Sequence, residues 1–271
     1  MTKYITHPET NKKLFFGRDK SLLKIARARL SLKNYLGKSL PNPPVLWTWG
    51  RLAAASLNEM YLNDTEGDCV IAEICHSCGV MTGNATGTSQ LFTDTQVNDL
   101  YSAIGGYVPG DESTDNGCDI QTALNYWGTS GLLQGVHKIA GYLAVNSADV
   151  IEIQTALFLF QNLSIGLDLP DSWITPFPST SGFIWDVAGP ADPSNGHNIL
   201  GFGYNSEGVP ISTWAMQGLL TYSAISQYCS AANQGELYTV ISTDSLNAAS
   251  KRAPNGFDWT QLLADFDAIK A

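Results

Sequence analysis

No apolar run in this 271-residue chain approaches the roughly 18 residues of a membrane-crossing helix. The start, Met-Thr-Lys-Tyr-Ile-Thr-His-Pro-Glu, lacks the apolar core of a secretory leader. The expectation is a soluble protein made and kept in the cytosol, or packaged from it. Cysteine is sparse and odd in number, at 69, 75, 78, 118 and 229, and with no sign of an oxidising compartment reduced thiols are the default. The single C-x-x-C, Cys75-His76-Ser77-Cys78, has no second C-x-x-C or H-x-x-x-H to complete a zinc set. No metal and no cofactor are therefore expected, and the spare thiols read as small apolar packing groups.

Basic residues are scarce after Arg51. Eleven of the 15 Lys and Arg fall in residues 1–51 against Glu9 and Asp19, a net +9 there, while the remaining residues sum to −19. A basic head on an acidic body suits an arm that grips an acidic surface, either its own body or a neighbouring subunit. Nucleic acid is the weaker reading, because the arm has no interleaved aromatics and no known binding motif. Residues 1–18 read as an irregular arm, and the strict alternation from Ala26 to Lys33 reads as an extended segment with one basic face. Pro41-Asn-Pro43-Pro44 is a stiff hinge, which sets the expected arm at 1–44 and the body at 45–271.

The chemistry gathers around Asn63-Asp-Thr-Glu-Gly-Asp-Cys69. Apolar residues at 70, 71, 74 and 80 have helical spacing, so Cys69 stands in the first turn of a helix. Unpaired N–H groups and the positive end of the helix dipole favour thiolate there, and an amide on the incoming loop can face a developing oxyanion. A second segment, Asn195-Gly196-His197, leads an apolar strand ending Gly-Phe-Gly-Tyr204. A third, Gly208-Val-Pro-Ile-Ser-Thr-Trp214, follows a short turn. Each residue also has a plainer reading: buried cysteines are usually inert packing, and His197 alone could be a satisfied core histidine.

The order amide, Cys, His, polar residue, Trp resembles the papain-like cysteine peptidases. The resemblance implies an α+β, two-lobed fold, with a helical lobe (about 60–135) carrying the cysteine and an antiparallel, barrel-like sheet lobe (about 136–255) carrying the histidine. It makes Cys69 the nucleophile, His197 the base and Asn63 the oxyanion donor in place of the family's glutamine. Ser212 stands where the family has the asparagine that orients the imidazole, and Trp214 shields that bond. Gly67, Asp68, Gly117 and Gly196 would border the cleft with Trp214. Glu66 stands where the family has a disulfide-forming cysteine.

The implied activity is cysteine peptidase or isopeptidase-type acyl hydrolysis of a peptide or protein substrate through a thiolate–imidazolium pair. The rival class is non-enzymatic: a papain-like scaffold in a viral, phage or other assembly, held through its basic arm. Elsewhere the pattern predicts helices from Thr93 or Asp94 to Ile104, from Asp119 to Trp127, and over 147–162. Strands are predicted over 136–145, 163–169, 197–204, 209–215 and 236–242, with a long ordered loop over 170–193 and a C-terminal helix over 257–270.

Overall fold

The computed structural model describes residues 3–20, 30–35 and 43–245. The predicted C-terminal helix and the alternating residues 26–29 lie outside them. In chain order the strands are β1 (Tyr4–Thr6), β2 (Lys13–Phe15), β3 (Leu30–Ser31), β4 (Trp47–Thr48), β5 (Ile139–Ala144), β6 (Leu163–Asp168), β7 (Phe183–Trp185), β8 (Gly196–Gly201), β9 (Gly203–Tyr204), β10 (Gly208–Thr213), β11 (Met216–Thr221) and β12 (Glu236–Ser242). The helices are α1 (Ala54–Leu57), α2 (Cys69–Thr86), α3 (Asp94–Gly105), α4 (Ile120–Thr129), α5 (Val150–Phe160), α6 (Asp171–Ile174) and α7 (Tyr222–Tyr228).

Local chemistry sets the helix ends. Thr93 and Gln96 form a capping box at the start of α3, Asp119 and Asp149 accept backbone N–H bonds at the starts of α4 and α5, and α2 stops at Gly87, whose φ of 86° suits glycine. α2 has no such side-chain cap. It is buried on all sides over Cys69–Gly83, as an apolar helix at the centre of a fold must be.

Among the described residues, eight strands form one sheet in the order β3-β5-β12-β6-β8-β10-β11-β7, antiparallel except for the outermost pair at each edge. Period-two alternation lets β12 serve two cores. Tyr238 and Val240 join α2, α3 and α4, while Leu237 and Ile241 join the cluster of α5, β6 and α7. The cysteine helix is thus packed against the sheet that carries His197.

Three expectations change. Within the expected irregular arm 1–18, the described residues 3–18 are ordered: β1 and β2 pair as a hairpin, and Leu14 and Phe16 are buried in the sheet-side core. The 170–193 loop contains α6 and β7, because Phe183–Trp185 finds an edge position beside β11. The strand predicted over 197–204 divides after Gly201, and β9 turns away to pair with β4.

Candidate active site

β8 places His197 at the second position of a fully buried strand. Its partner β10 is antiparallel with Ser212 opposite Leu200, so Ser212 shares the face of Leu200 and Asn198 while Thr213 shares that of Ile199 and His197. The bonds follow the register. His197 Nε2 lies 2.7 Å from Thr213 Oγ1, whereas Ser212 Oγ donates to the Leu57 carbonyl at 2.9 Å. Ser212 therefore does not meet the imidazole, and Thr213, absent from the residues expected at the site, does. Counting alternation from His197 along a paired β10 is the signal that would have found it.

β10 and β11 are joined by Trp214-Ala215, both with φ in the left-handed region (47° and 57°), as a two-residue hairpin loop requires. This turn lays the Trp214 indole on the His197 ring, with centroids 3.9 Å apart and planes 17° from parallel. Burial lowers the His197 imidazole to about 3, and its Nδ1 is buried without a hydrogen-bond partner.

Cys69 opens α2, as predicted. Burial pushes its thiol up to about 12, overcoming the backbone amides of Asn198 and Gly17, which favour thiolate. In this conformation burial holds Cys69 as a neutral thiol and His197 as a neutral imidazole, and His197 Nδ1 makes no hydrogen bond to the thiol, so the expected ion pair is not formed. Asn63 is also buried; its side-chain NH2 donates to the Glu66 carbonyl at 3.2 Å, and its backbone carbonyl accepts from Phe15 N–H at 3.0 Å. Asp68, predicted to border the cleft, is fully buried at the helix start, where burial raises its carboxyl well above the usual range.

Part of the surroundings of both groups comes from the start of the chain, with Phe16 against His197 and the Gly17 backbone amide against Cys69. Residues Phe16-Gly17-Arg18 run through the site between the glycines assigned to the cleft. A Cβ on Gly17 would meet Gly67 O at 1.6 Å, and one on Gly117 would meet Gly17 O at 2.1 Å. Cys118 N–H donates to Gly17 O at 2.8 Å, Asp19 N–H to Cys118 O at 3.0 Å, and Arg18 N–H to Gly196 O at 3.2 Å. Phe16 packs edge-on against both His197 and Trp214, and Trp214 Nε1 donates to Phe15 O at 3.2 Å. A cavity of about 170 Å³ remains outside this segment, bordered by Lys3, Asn116 and Ser194.

Arg18 enters a closed acidic pocket. Its Nε and Nη2 donate to Glu236 Oε1 at 3.2 and 3.1 Å, its Nη1 to Asp168 Oδ1 at 3.4 Å, and its Nη2 also to the Gln234 carbonyl. Lys20 adds bonds of 2.9 and 2.7 Å to Asp168. Gly166 leaves the room: a Cβ there would stand 2.7 Å from Arg18 Nε. Lys3 pairs with Asp192 and Lys12 with Asp64, so the acidic surface met by these arm cations belongs to the same chain. Composition exposed the charge split, but only tertiary structure shows what each cation meets.

A central helix begun by a buried cysteine now stands against an antiparallel sheet that holds a histidine under a tryptophan. Among solved structures the chain is similar to the digestive procathepsin L 3 of Tenebrio molitor larval midgut, at 14% identity and TM-score 0.59 over 83% of this chain and 75% of that one. The fold is papain-like. A ragweed pollen allergen, the Amb a 11 cysteine protease in its proform, aligns at 14% identity and TM-score 0.55 over 81% of this chain and 73% of that one. Xylellain, a cysteine protease from Xylella fastidiosa, aligns at 14% identity and TM-score 0.50 over 88% and 94%. No family model and no curated protein matches the chain. No described helix of this papain-like fold is long and apolar enough to cross a membrane.

Proposed function

We propose that the chain is a cysteine peptidase or isopeptidase-type acyl hydrolase, closed in this conformation by its own residues 16–18. The observation that carries the reading is the state of His197: Nε2 is bonded to Thr213, one face is covered by Trp214, and Nδ1 is left without a partner beside the strand position that approaches Cys69. With Nε2–H donating to Thr213, Nδ1 is the atom free to take a proton.

When the segment withdraws, water and substrate reach the site, and the burial that holds Cys69 and His197 neutral is relieved. His197 then takes the thiol proton, and the thiolate attacks a peptide or isopeptide carbonyl. The oxyanion forms against the Cys69 N–H and the Asn63 amide, and His197 protonates the leaving amine. This leaves a thioester that water, activated by the same imidazole, hydrolyses. The Asn63 NH2 has two N–H donors and the Glu66 carbonyl takes one, which leaves the second for this part. Because Gly17 and Arg18 occupy the cleft as a peptide would, the pocket of Asp168 and Glu236 selects a basic substrate side chain, arginine above all, whose fork suits carboxylates.

A second reading, a papain-like scaffold that acts by binding, is favoured by the filled cleft and the two neutral groups. Thiol reactivity separates the two. An opened cleft yields a Cys69 that is alkylated at low pH in a His197-dependent way if the chain is a peptidase, and an ordinary thiol if it is a scaffold.

A further inference from the structure

Away from the cleft, three residues from distant parts of the chain meet at one point. Cys78 is on α2, His137 is in the turn before β5, and Asp244 lies just past β12. One ligand atom from each lies within 4.8 Å of the other two. We propose that Cys78, His137 and Asp244 bind a divalent transition ion of the zinc class.

The donor set is one sulfur, one imidazole nitrogen and one carboxylate oxygen. That combination suits zinc or cobalt and not magnesium or calcium, which take oxygen ligands. In a tetrahedral zinc site with bonds of about 2.0–2.3 Å, the ligand atoms stand roughly 3.3–3.8 Å apart. His137 Nδ1 and Asp244 Oδ2 are already 3.0 Å apart, so a small spreading of this pair and an inward movement of the thiol complete three corners. The fourth is open to water.

The frame around the three is built. Leu132 and His137 exchange backbone bonds of 2.8 and 3.2 Å, which fix the turn carrying the imidazole. Thr243 N–H and Oγ1 both donate to the Lys138 carbonyl, at 3.0 and 2.9 Å, tying the residue before Asp244 to the residue after His137. Ser242 Oγ donates to Asp244 Oδ2 at 3.3 Å and accepts from the Asp244 N–H at 3.0 Å, an outer contact that orients the carboxylate. Cys78 is 1% exposed, whereas the side chains of His137 and Asp244 are 12% and 22% exposed. The site therefore has a buried soft anchor and an open side through which an ion enters.

Without an ion, burial and the Asp244 charge hold the Cys78 thiol protonated. Binding releases that proton and takes the thiolate, so affinity rises with pH. The bound ion would clamp the end of β12 to the middle of α2, the helix that Cys69 begins. None of this depends on whether the cleft is catalytic.

The test is titration of the full chain with cobalt(II), read by the thiolate-to-cobalt charge-transfer absorption and the visible bands of a tetrahedral ion. One equivalent should bind and be displaced by zinc. Cys78→Ser should abolish the charge-transfer band. His137→Ala and Asp244→Asn should each weaken binding by about tenfold or more. Cys69→Ser and Cys75→Ser should bind as the wild type does. Circular dichroism establishes that each variant is folded, and if Cys78→Ser does not fold, His137→Ala and Asp244→Asn decide. No band in the wild type, a band surviving Cys78→Ser, or binding indifferent to both His137→Ala and Asp244→Asn overturns the site.

Discussion

His197 Nε2 meets Thr213 Oγ1 at 2.7 Å, one residue beyond the position where likeness to a papain-like Asn-Ser-Trp segment places the orienting group. In a chain opened by Gly17→Ala, Thr213→Val should therefore reduce turnover of a peptide substrate by on the order of tenfold or more, because the imidazole loses the bond that fixes its tautomer. Ser212→Ala should leave the pH–rate profile unchanged. It should cost about 1 kcal/mol of stability through the orphaned Leu57 carbonyl, measured by denaturant unfolding.

Opening of the cleft should follow from one methyl group. Gly17→Ala puts a Cβ 1.6 Å from Gly67 O, against backbone that cannot yield. Residues 16–18 must leave while β1 and β2 can remain paired. Limited proteolysis should show new cuts near residue 17 with the body intact.

Arg18→Ala should be more damaging to the fold. It leaves Asp168 and Glu236 without their buried guanidinium, and breaking a buried pair costs about 3–5 kcal/mol. In a chain opened by Gly17→Ala, peptides carrying arginine should be cleaved in preference to those carrying leucine. Glu236→Gln should reduce that preference without slowing the leucine peptide.

Acid should destabilise the closed form through His197. Its folded pKa is lowered to about 3 from an ordinary 6.5, so between those values the unfolded chain binds a proton that the native chain refuses. Stability from this group is complete above pH 6.5 and is lost as pH falls toward 3. His197→Gln should lose less over that interval than the wild type, as unfolding midpoints at a series of pH values would show. His76, lowered to about 4 by burial, contributes in the same direction in both proteins.

Much of this site was legible in local pattern. The helix at Cys69, the strand at His197 and the caps at Thr93 and Asp119 are written in spacing and turn chemistry, while Gly67, Gly117 and Gly196 were named only by the papain-like resemblance. What was not legible depends on pairing between distant segments. Ser212 and Thr213 differ only in which face of β10 they occupy, and that is set by a register with β8 that neither strand states alone. Phe16-Gly17-Arg18 has no periodicity of its own. Its place is fixed by two backbone surfaces, at 117–118 and 196, and by a pocket whose carboxylates come from β6 and β12. The basic arm was visible as charge, but its ion pairs were not.

The most direct measurement is the pH dependence of Cys69 alkylation by iodoacetamide, read by peptide mass spectrometry in wild type, Gly17→Ala and Gly17→Ala/His197→Ala. The wild type should be unreactive near neutrality. Gly17→Ala should react well below the ordinary thiol pKa of about 8.5, and the double variant should lose that low-pH reactivity. A Gly17→Ala protein whose opened Cys69 reacts only as an ordinary thiol, or equally with and without His197, would contradict a peptidase held closed and leave a scaffold.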